Sequence, residues 1–212
     1  MPNQNLHSVE TSQAGCRLYP QALDRLEQER IVAILRALLV DAPLFQPVMP
    51  RTGKPLSVRM SNCGSLGWVA DQQGYRYQPS HPVTGKPWPP IPEPLLDLWQ
   101  AVTDGAPAPE ACLINWYAPD AKMGLHQDRD EATFDAPVVS LSLGDDALFR
   151  LGAVTRGGTT EAIRLASGDV LVLGGKARLA YHGVSRIYPD TSTLLEAPGR
   201  INLTLRRVNP LS

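Results

Sequence analysis

Residues 138–151, VVSLSLGDDALFRL, contain two short apolar runs, 138–143 and 147–151, on either side of Gly144-Asp145-Asp146. Short runs rich in β-favouring residues and bounded by turn formers are typical of strands. The same pattern recurs from residue 111 onward, at 112–117, 162–165, 170–173 and 201–208. Many short strands at regular spacing predict a mainly β fold, either a sandwich or a barrel, with jelly-roll topology as a strong option.

The chain before residue 111 has a different pattern. Apolar residues recur at intervals of three and four over residues 23–40, which predicts a helix. A shorter helix is predicted over residues 93–102, with Pro94 at its start. We therefore divide the chain into residues 1–110, a helical and loop-rich extension, and residues 111–212, the β-domain. The two parts are expected to form one integrated structural unit.

Composition limits the classes of protein that the chain can belong to. It has 212 residues, of which 43% are hydrophobic and 19% charged, as in a soluble globular protein. It has no apolar run long enough to cross a bilayer and no signal-peptide pattern, and its three cysteines match neither a zinc site nor a disulfide framework. These features predict a cytoplasmic protein that does not bind membranes. The net charge of −1 argues against a protein that coats nucleic acid, but not against an enzyme that grips a short strand with a local basic patch.

The segment His126-Gln127-Asp128 is a candidate metal site. In an extended segment, His126 and Asp128 point to the same side. With a second histidine they make the facial triad of non-haem iron(II) oxygenases, which leaves coordination positions open for a keto acid and O2. His182 is better placed to complete it than His7 or His81, which lie in polar or proline-rich flanks. Taken alone the motif is weak, because a His-x-Asp triplet arises by chance in about one chain in four.

The C-terminal run 200–206 places polar side chains on one face. In a strand Arg200, Asn202, Thr204 and Arg206 point one way, while the apolar residues between them point the other way. Two arginines on one face suit a dicarboxylate such as 2-oxoglutarate, because the guanidinium fork matches a carboxylate. The alternative is a solvated edge strand.

With these residues in view, the chain resembles the AlkB family of iron(II)/2-oxoglutarate-dependent dioxygenases, which remove alkyl groups from nucleic acids. The resemblance covers most of the chain and is carried by nine segments. They are SVRMSNCG (57–64), GW (67–68), QGYRY (73–77), GKPWP (85–89), CLINWYAP (112–119), HQDRDE (126–131), VSLSLG (139–144), YHG (181–183) and RINLTLR (200–206).

The resemblance implies a double-stranded β-helix core of the jelly-roll or cupin type, with flanking helices and a nucleotide-recognition lid in the N-terminal part. It also implies the residues that hold iron(II) and 2-oxoglutarate. The implied iron ligands are His126, Asp128 and His182. Arg200 matches the arginine that pairs with the distal carboxylate of 2-oxoglutarate, supported by Tyr117. The residues that match the keto-acid end and the neighbouring cofactor positions are Arg206, Asn115, Asn202 and Trp116.

The same resemblance implies a set of substrate-binding residues: Trp68, Tyr75, Arg76 and Tyr77 in the lid, with Asp130 and Arg156 in the base pocket. Trp68 is expected to stack on a flipped base opposite His126, and Asp130 to lie near the exocyclic amine of that base. Judged from the residues alone, the aromatic set could instead form a small hydrophobic core, and the charged residues could be ordinary loop charges.

Three positions depart from the family pattern. Trp116 stands where the pattern has arginine, Leu173 where it has tryptophan, and Pro50 where it has a hydroxyl-bearing residue. None is an iron ligand, so we expect the departures to affect the grip on the strand and the choice of base.

The implied function is oxidative demethylation of N1-methyladenine and N3-methylcytosine in DNA repair. The reaction couples O2 and 2-oxoglutarate to succinate, CO2 and formaldehyde. Expected partners are alkylated single-stranded or duplex DNA, with RNA as a further substrate, and the protein is expected to act as a monomer. Two alternatives remain open at this point. They are a 2-oxoglutarate-dependent hydroxylase of a protein or small molecule, and a non-catalytic nucleic-acid-binding module.

Overall fold

The computed structural model describes residues 6–211 and contains two antiparallel sheets packed face to face. The large sheet has the strand order β1-β2-β11-β8-β13-β6-β3. Its strands are Val9–Glu10 (β1), Cys16–Tyr19 (β2), Arg59–Gly64 (β3), Ala111–Tyr117 (β6), Val138–Gly144 (β8), Val170–Leu173 (β11) and Arg200–Arg206 (β13). The small sheet has the order β10-β9-β12-β7, formed by Met123–His126 (β7), Asp146–Leu151 (β9), Glu161–Leu165 (β10) and His182–Tyr188 (β12). A separate hairpin joins Gly67–Asp71 (β4) to Gly74–Gln78 (β5).

Strand β13 lies in the middle of the large sheet, between β6 and β8. All seven of its residues are buried, since the small sheet covers one face and helices cover the other. The alternative of a solvated edge strand for this segment is therefore wrong. The mainly β, jelly-roll architecture predicted from the sequence is confirmed.

Two helices pack on the outer face of the large sheet. Helix α1 spans Arg25–Asp41, and its first turn is closed by a capping box in which Asp24 and Glu27 each bond the other's backbone N–H. This cap places the start of α1 two residues after the predicted start. Helix α2 spans Glu93–Val102, as predicted. Apolar residues of both helices, such as Leu35 and Leu98, share one core with the outward side chains of the sheet, such as Leu203.

The sequence patterns did not reveal seven of the strands. Strands β1, β2 and β3 precede residue 111 yet pair within the large sheet, so strands from both parts of the chain build the core. Strands β7 and β12 are short or rich in polar residues, and β12 begins at His182. The last strand ends at Arg206, before the predicted end, because the Glu110 side chain accepts the hydrogen bond of the Val208 N–H.

The β4–β5 hairpin is fixed to the edge of the large sheet. The Asn62 side chain accepts a hydrogen bond from the Trp68 N–H at 3.1 Å and donates one to the Trp68 carbonyl at 3.0 Å. A Cβ at Gly67 would lie 2.5 Å from ring atoms of Trp88, so the hairpin can approach this closely only with glycine there. The anchored hairpin lies where the sequence predicted a lid. Within the described residues, no helix is long and apolar enough to cross a membrane.

Candidate metal and cosubstrate site

The three predicted metal ligands come together between the two sheets. His126 ends β7, His182 begins β12, and the two residues are paired directly across the strands. Asp128 lies in the loop after β7. Its Oδ1 is 3.5 Å from His126 Nε2, and its Oδ2 is 3.6 Å from His182 Nε2. The ligand atoms of all three residues lie within 4.8 Å of one another. Three such groups on one side of a point form a facial triad.

Backbone carbonyls orient both imidazole rings. His126 Nδ1 lies 2.9 Å from the Gly124 carbonyl, and His182 Nδ1 lies 2.9 Å from the Ala180 carbonyl. Since a carbonyl oxygen can only accept, each Nδ1 carries the proton and each Nε2 offers its lone pair to the centre of the site. The donor set of two imidazole nitrogens and one carboxylate therefore suits iron(II).

Arg206 sets the charge of the aspartate. Its Nη2 lies 2.8 Å from Asp128 Oδ1, and Asp128 is buried. Burial alone would raise the pKa of Asp128, but the charge of Arg206 and the nearby His182 outweigh it and hold this pKa well below its usual value. Burial would lower the pKa of His126, but the hydrogen bond and charge of Asp128 raise it. The aspartate is thus kept as the anion that a metal ligand must be.

A cavity of about 390 Å³ extends from the triad along β13. Arg200 lines it and is only 1% exposed. Its Nη2 donates to Ser142 Oγ at 2.9 Å, while Nε and Nη1 are buried without a hydrogen-bond partner. Burial lowers the pKa of Arg200 to about 10. A buried guanidinium with two unpartnered nitrogens is costly unless an anion binds it, so the carboxylate of a ligand fits this position.

A polar row connects the two arginines along the cavity wall. Asn202 donates to Ser140 Oγ at 2.7 Å and accepts from Thr204 Oγ1 at 2.9 Å, and Asn115 lies 3.4 Å from the Asn202 Oδ1. Tyr117 lies beside Arg200 on the neighbouring strand, and burial raises its pKa to about 12, so it is neutral. These residues give the cavity a hydrogen-bonding wall that can orient a keto acid.

Trp116 does not lie in this cavity, which corrects the expectation that it binds cofactor. It is paired with Ile201 in the register of β6 and β13, whereas Asn115 and Tyr117 are paired with Asn202 and Arg200. Side chains alternate along a strand, so Trp116 points to the opposite face and packs among the helix-facing residues. The departure from the family pattern at this position therefore lies outside the cavity. Leu173, the second departure, is 1% exposed and does line the cavity.

The hairpin covers the mouth of the cavity with an aromatic pair. The rings of Trp68 and Tyr75 are stacked, with centroids 5.6 Å apart and planes 16° apart, and both line the cavity. Trp68 Nε1 donates to Asp130 Oδ2 at 2.8 Å, and Asp130 also lines the cavity. His126, the most exposed metal ligand, has a side chain that is 40% exposed. An aromatic ring, a carboxylate and a metal ligand therefore share this opening.

Three predicted substrate residues do not line this cavity. Arg76 bonds Asp71 through two nitrogens, each at 2.8 Å, and so stabilises the hairpin itself. The Tyr77 hydroxyl donates to Glu131 Oε1 at 2.7 Å. Arg156 is exposed and lines a neighbouring cavity of about 420 Å³. The pairing of the hairpin strands decides where the side chains of Arg76 and Tyr77 point, and the 152–160 turn decides where Arg156 points. A sequence motif does not reveal these orientations.

Sequence reasoning gave no role to two buried charges next to the site. Glu131 follows the metal motif, and its side chain is 0% exposed. It lies between Arg206 and Arg178, whose nitrogens are 3.0 and 3.4 Å from its carboxylate. Arg178 also donates to the backbone carbonyls of Asp128 and Ala136, which fixes the loop after the metal ligand. A charged residue beside a motif looks solvated until burial is known, so no sequence signal singled out either residue.

Comparison with known proteins places this site in a family. The 2OG-Fe(II) oxygenase superfamily matches residues 15–206. The AlkB homolog of Caulobacter vibrioides, an alpha-ketoglutarate-dependent dioxygenase, is 52% identical over 193 residues, 91% of this chain and 87% of that protein. The dioxygenase AlkB of Escherichia coli is 43% identical over 183 residues, 84% of each chain. A solved structure of OsALKBH1 superposes with a TM-score of 0.81 at 33% identity, covering 95% of this chain and all of that one.

The chain therefore belongs to the 2OG-Fe(II) oxygenase superfamily and, within it, to the AlkB dioxygenases. The protein is an enzyme that uses iron(II), 2-oxoglutarate and O2. The alternative of a non-catalytic binding module does not agree with an intact ligand triad beside the two unpartnered nitrogens of Arg200.

Proposed function

We propose that this protein is a DNA-repair dioxygenase that removes methyl groups from N1-methyladenine and N3-methylcytosine. The observation that carries the proposal is one cavity that joins the metal triad, the two unpartnered nitrogens of Arg200 and the stacked pair Trp68–Tyr75 above Asp130. A base flipped out of a strand needs a stacking surface and a polar group at its edge. The mouth of this cavity offers both next to the metal ligands.

Each part of the cavity has a task. His126, Asp128 and His182 would hold iron(II). When bound, the iron supplies the oxidising chemistry by which O2 and 2-oxoglutarate are used to hydroxylate the methyl group. The products are succinate, CO2 and formaldehyde. Arg200 would pair with the distal carboxylate of 2-oxoglutarate through its two free nitrogens. Asn115, Asn202 and Arg206 would orient its other end.

Electrostatics favours an alkylated base over an intact one. Alkylation at these ring nitrogens gives the base a positive charge, and the Asp130 carboxylate lies at the mouth of the cavity. The same lesion prevents Watson–Crick pairing, so flipping a damaged base costs less than flipping an intact one. In the free protein Trp68 donates to this carboxylate. We infer that the exocyclic amine of the base takes over that hydrogen bond.

The second candidate function is hydroxylation of a protein or small molecule by the same cavity. The exposed Tyr75 stacked on Trp68 favours a flat base instead, because an aromatic platform suits any base face. The test is formaldehyde release from matched oligonucleotides with and without one N1-methyladenine, supplied with iron(II), ascorbate and 2-oxoglutarate. Release from the methylated strand alone supports demethylation. Succinate formation without formaldehyde from either strand would favour the alternative.

We further propose that the protein acts in the cytoplasm as a monomer on single-stranded or duplex DNA, with RNA as an additional substrate. The described cysteines are all free and buried, as suits a reducing compartment. Arg156 and Arg76 would contact the strand outside the base pocket. Light scattering of the purified protein, and formaldehyde release from methylated RNA and DNA of one sequence, test these points.

A further inference from the structure

Glu131 is a buried carboxylate outside the ligand triad with partners in two different parts of the fold. Its Oε1 accepts hydrogen bonds from the Tyr77 hydroxyl at 2.7 Å and from Arg206 Nη1 at 3.0 Å. Its Oε2 lies 3.4 Å from Arg178 Nη2. An ionised carboxylate with no exposed surface is tolerated only when it is paired, and here two guanidinium groups and a hydroxyl surround it.

Arg206 extends this network to the metal ligand. Its Nη1 lies on Glu131, while its Nη2 lies 2.8 Å from Asp128 Oδ1. The guanidinium is planar, so fixing one side of its fork fixes the direction of the other. The position of Arg206 against Asp128 therefore depends on Glu131.

Tyr77 connects the same network to the hairpin. Its hydroxyl lies within hydrogen-bond distance of both Glu131 and Arg206, and Tyr77 is paired directly across the hairpin from Trp68. The hairpin has a second bond to this loop, from Trp68 to Asp130, but that bond is exposed. The exposed bond can exchange with a ligand, whereas the part-buried bond ends on a Glu131 side chain with no exposed surface and holds the hairpin in place.

We propose that Glu131 is a positioning residue that couples the hairpin to the metal ligand Asp128 through Tyr77 and Arg206. The coupling lets Trp68 release Asp130 to a base while Tyr77 keeps the hairpin seated over the metal. This role rests on the proposed function, since it concerns the placing of a base beside the metal. The coupling itself is a property of the protein without substrate, so it can be measured without nucleic acid.

The test compares two variants with matched controls. Glu131→Gln keeps the shape of the side chain but removes its charge, and Tyr77→Phe removes only the hydroxyl. The controls are Glu161→Gln, at a carboxylate that bonds Ser12 at the surface, and Tyr188→Phe, at a half-buried tyrosine of the small sheet. Two quantities are measured: hydrogen exchange of the 67–78 amides in metal-free protein, and the affinity of each variant for Co²⁺ alone.

Tyr77→Phe should reduce protection of the hairpin amides about fivefold, because the hydrogen bonds of its hydroxyl to Glu131 and Arg206 are lost, and should leave Co²⁺ affinity unchanged. Glu131→Gln should loosen the hairpin to a similar extent and also weaken Co²⁺ binding about tenfold. In that variant Asp128 is the only one of the two carboxylates left to balance the charge of Arg206. The guanidinium then competes with the metal for Asp128. The double variant should exchange no faster than the more affected single variant, since both changes act on the same bond.

Hairpin exchange in Tyr77→Phe equal to that in Tyr188→Phe would overturn the proposal. So would a Co²⁺ affinity of Glu131→Gln equal to that of Glu161→Gln. If Glu131→Gln fails to fold by circular dichroism, the exchange of Tyr77→Phe decides alone. Should the unaltered protein release no formaldehyde from methylated DNA while these responses appear, the proposed function fails and the coupling stands.

Discussion

At the scale of single residues, Arg200 shows how a buried charge can identify a ligand. It lies in the centre of the large sheet with two unpartnered nitrogens, and burial lowers its pKa. The sequence predicted that it faces the same way as Arg206, because side chains alternate along a strand. The pattern could not predict the difference between the two. Arg206 is neutralised by Asp128 and Glu131, while Arg200 has no carboxylate within ion-pair distance among the described residues.

Arg200→Gln should therefore have opposite effects on binding and on stability. We expect the affinity for 2-oxoglutarate to fall at least about thirtyfold, as the loss of a buried charge pair costs about 2–5 kcal/mol. We expect the melting temperature of the ligand-free protein to be equal or higher, because an uncompensated buried cation is removed. Calorimetric titration and thermal unfolding measure the two effects. A lower melting temperature together with unchanged affinity would show that Arg200 serves the fold and not the ligand.

At the scale of elements, the sequence predicted what periodicity can show. Helix α2 and strand β11 begin and end where predicted, because each has a strong pattern and clear breaks. Strands β7 and β12, which hold the histidines, mix polar and apolar residues, so their sequences did not predict them. They form by pairing with each other and with β9. The hairpin was predicted as a lid from the family resemblance. Its contacts with Asp130 and Glu131 came only from the fold.

The hairpin gives a prediction about Trp68. Trp68→Ala should weaken the binding of a methylated oligonucleotide about fivefold to a hundredfold, because stacking on an aromatic ring contributes about 1–3 kcal/mol per base. Trp68→Phe keeps a stacking face but loses the hydrogen bond to Asp130, so it should retain most of the affinity. Fluorescence anisotropy of a labelled oligonucleotide measures both.

Binding of Co²⁺ serves as the control for these two variants, and it should be unchanged. If the affinity for Co²⁺ falls together with the affinity for the oligonucleotide, Trp68 has a structural role in the core. That outcome would restore the interpretation of the aromatic set as a small hydrophobic core. Trp68 does pack partly against the interior, so this comparison is informative.

At the scale of the whole molecule, the site lies between two sheets whose strands come from both parts of the chain. Strand β3, from the N-terminal part, pairs with β6, which carries Asn115 and Tyr117. Ligands that bind between the sheets therefore contact residues far apart in sequence. Binding should stabilise the fold as a unit, because ligands that bind only the native state lower its free energy.

Thermal unfolding can test this linkage. A metal and 2-oxoglutarate, each at about one hundred times its dissociation constant, should together stabilise the protein by about 5.4 kcal/mol, since each contributes about 2.7 kcal/mol. For a chain of this size that is a rise in melting temperature of about 10–20 °C. Mn²⁺ with 2-oxoglutarate is a suitable probe. An equal rise in Asp128→Ala would place the metal elsewhere.

If the triad and the Arg200 pocket act together on a methylated base, one turnover must give both products, and a single-turnover experiment measures them. The protein is first loaded without oxygen with one equivalent each of iron(II), 2-oxoglutarate and an oligonucleotide that contains one N1-methyladenine. It is then exposed to O2, and succinate and formaldehyde are quantified. We predict one formaldehyde and one succinate per protein molecule, and neither product from Asp128→Ala. Succinate without formaldehyde from the unaltered protein, or full turnover in Asp128→Ala, would show that the triad and the Arg200 pocket do not act together on the base.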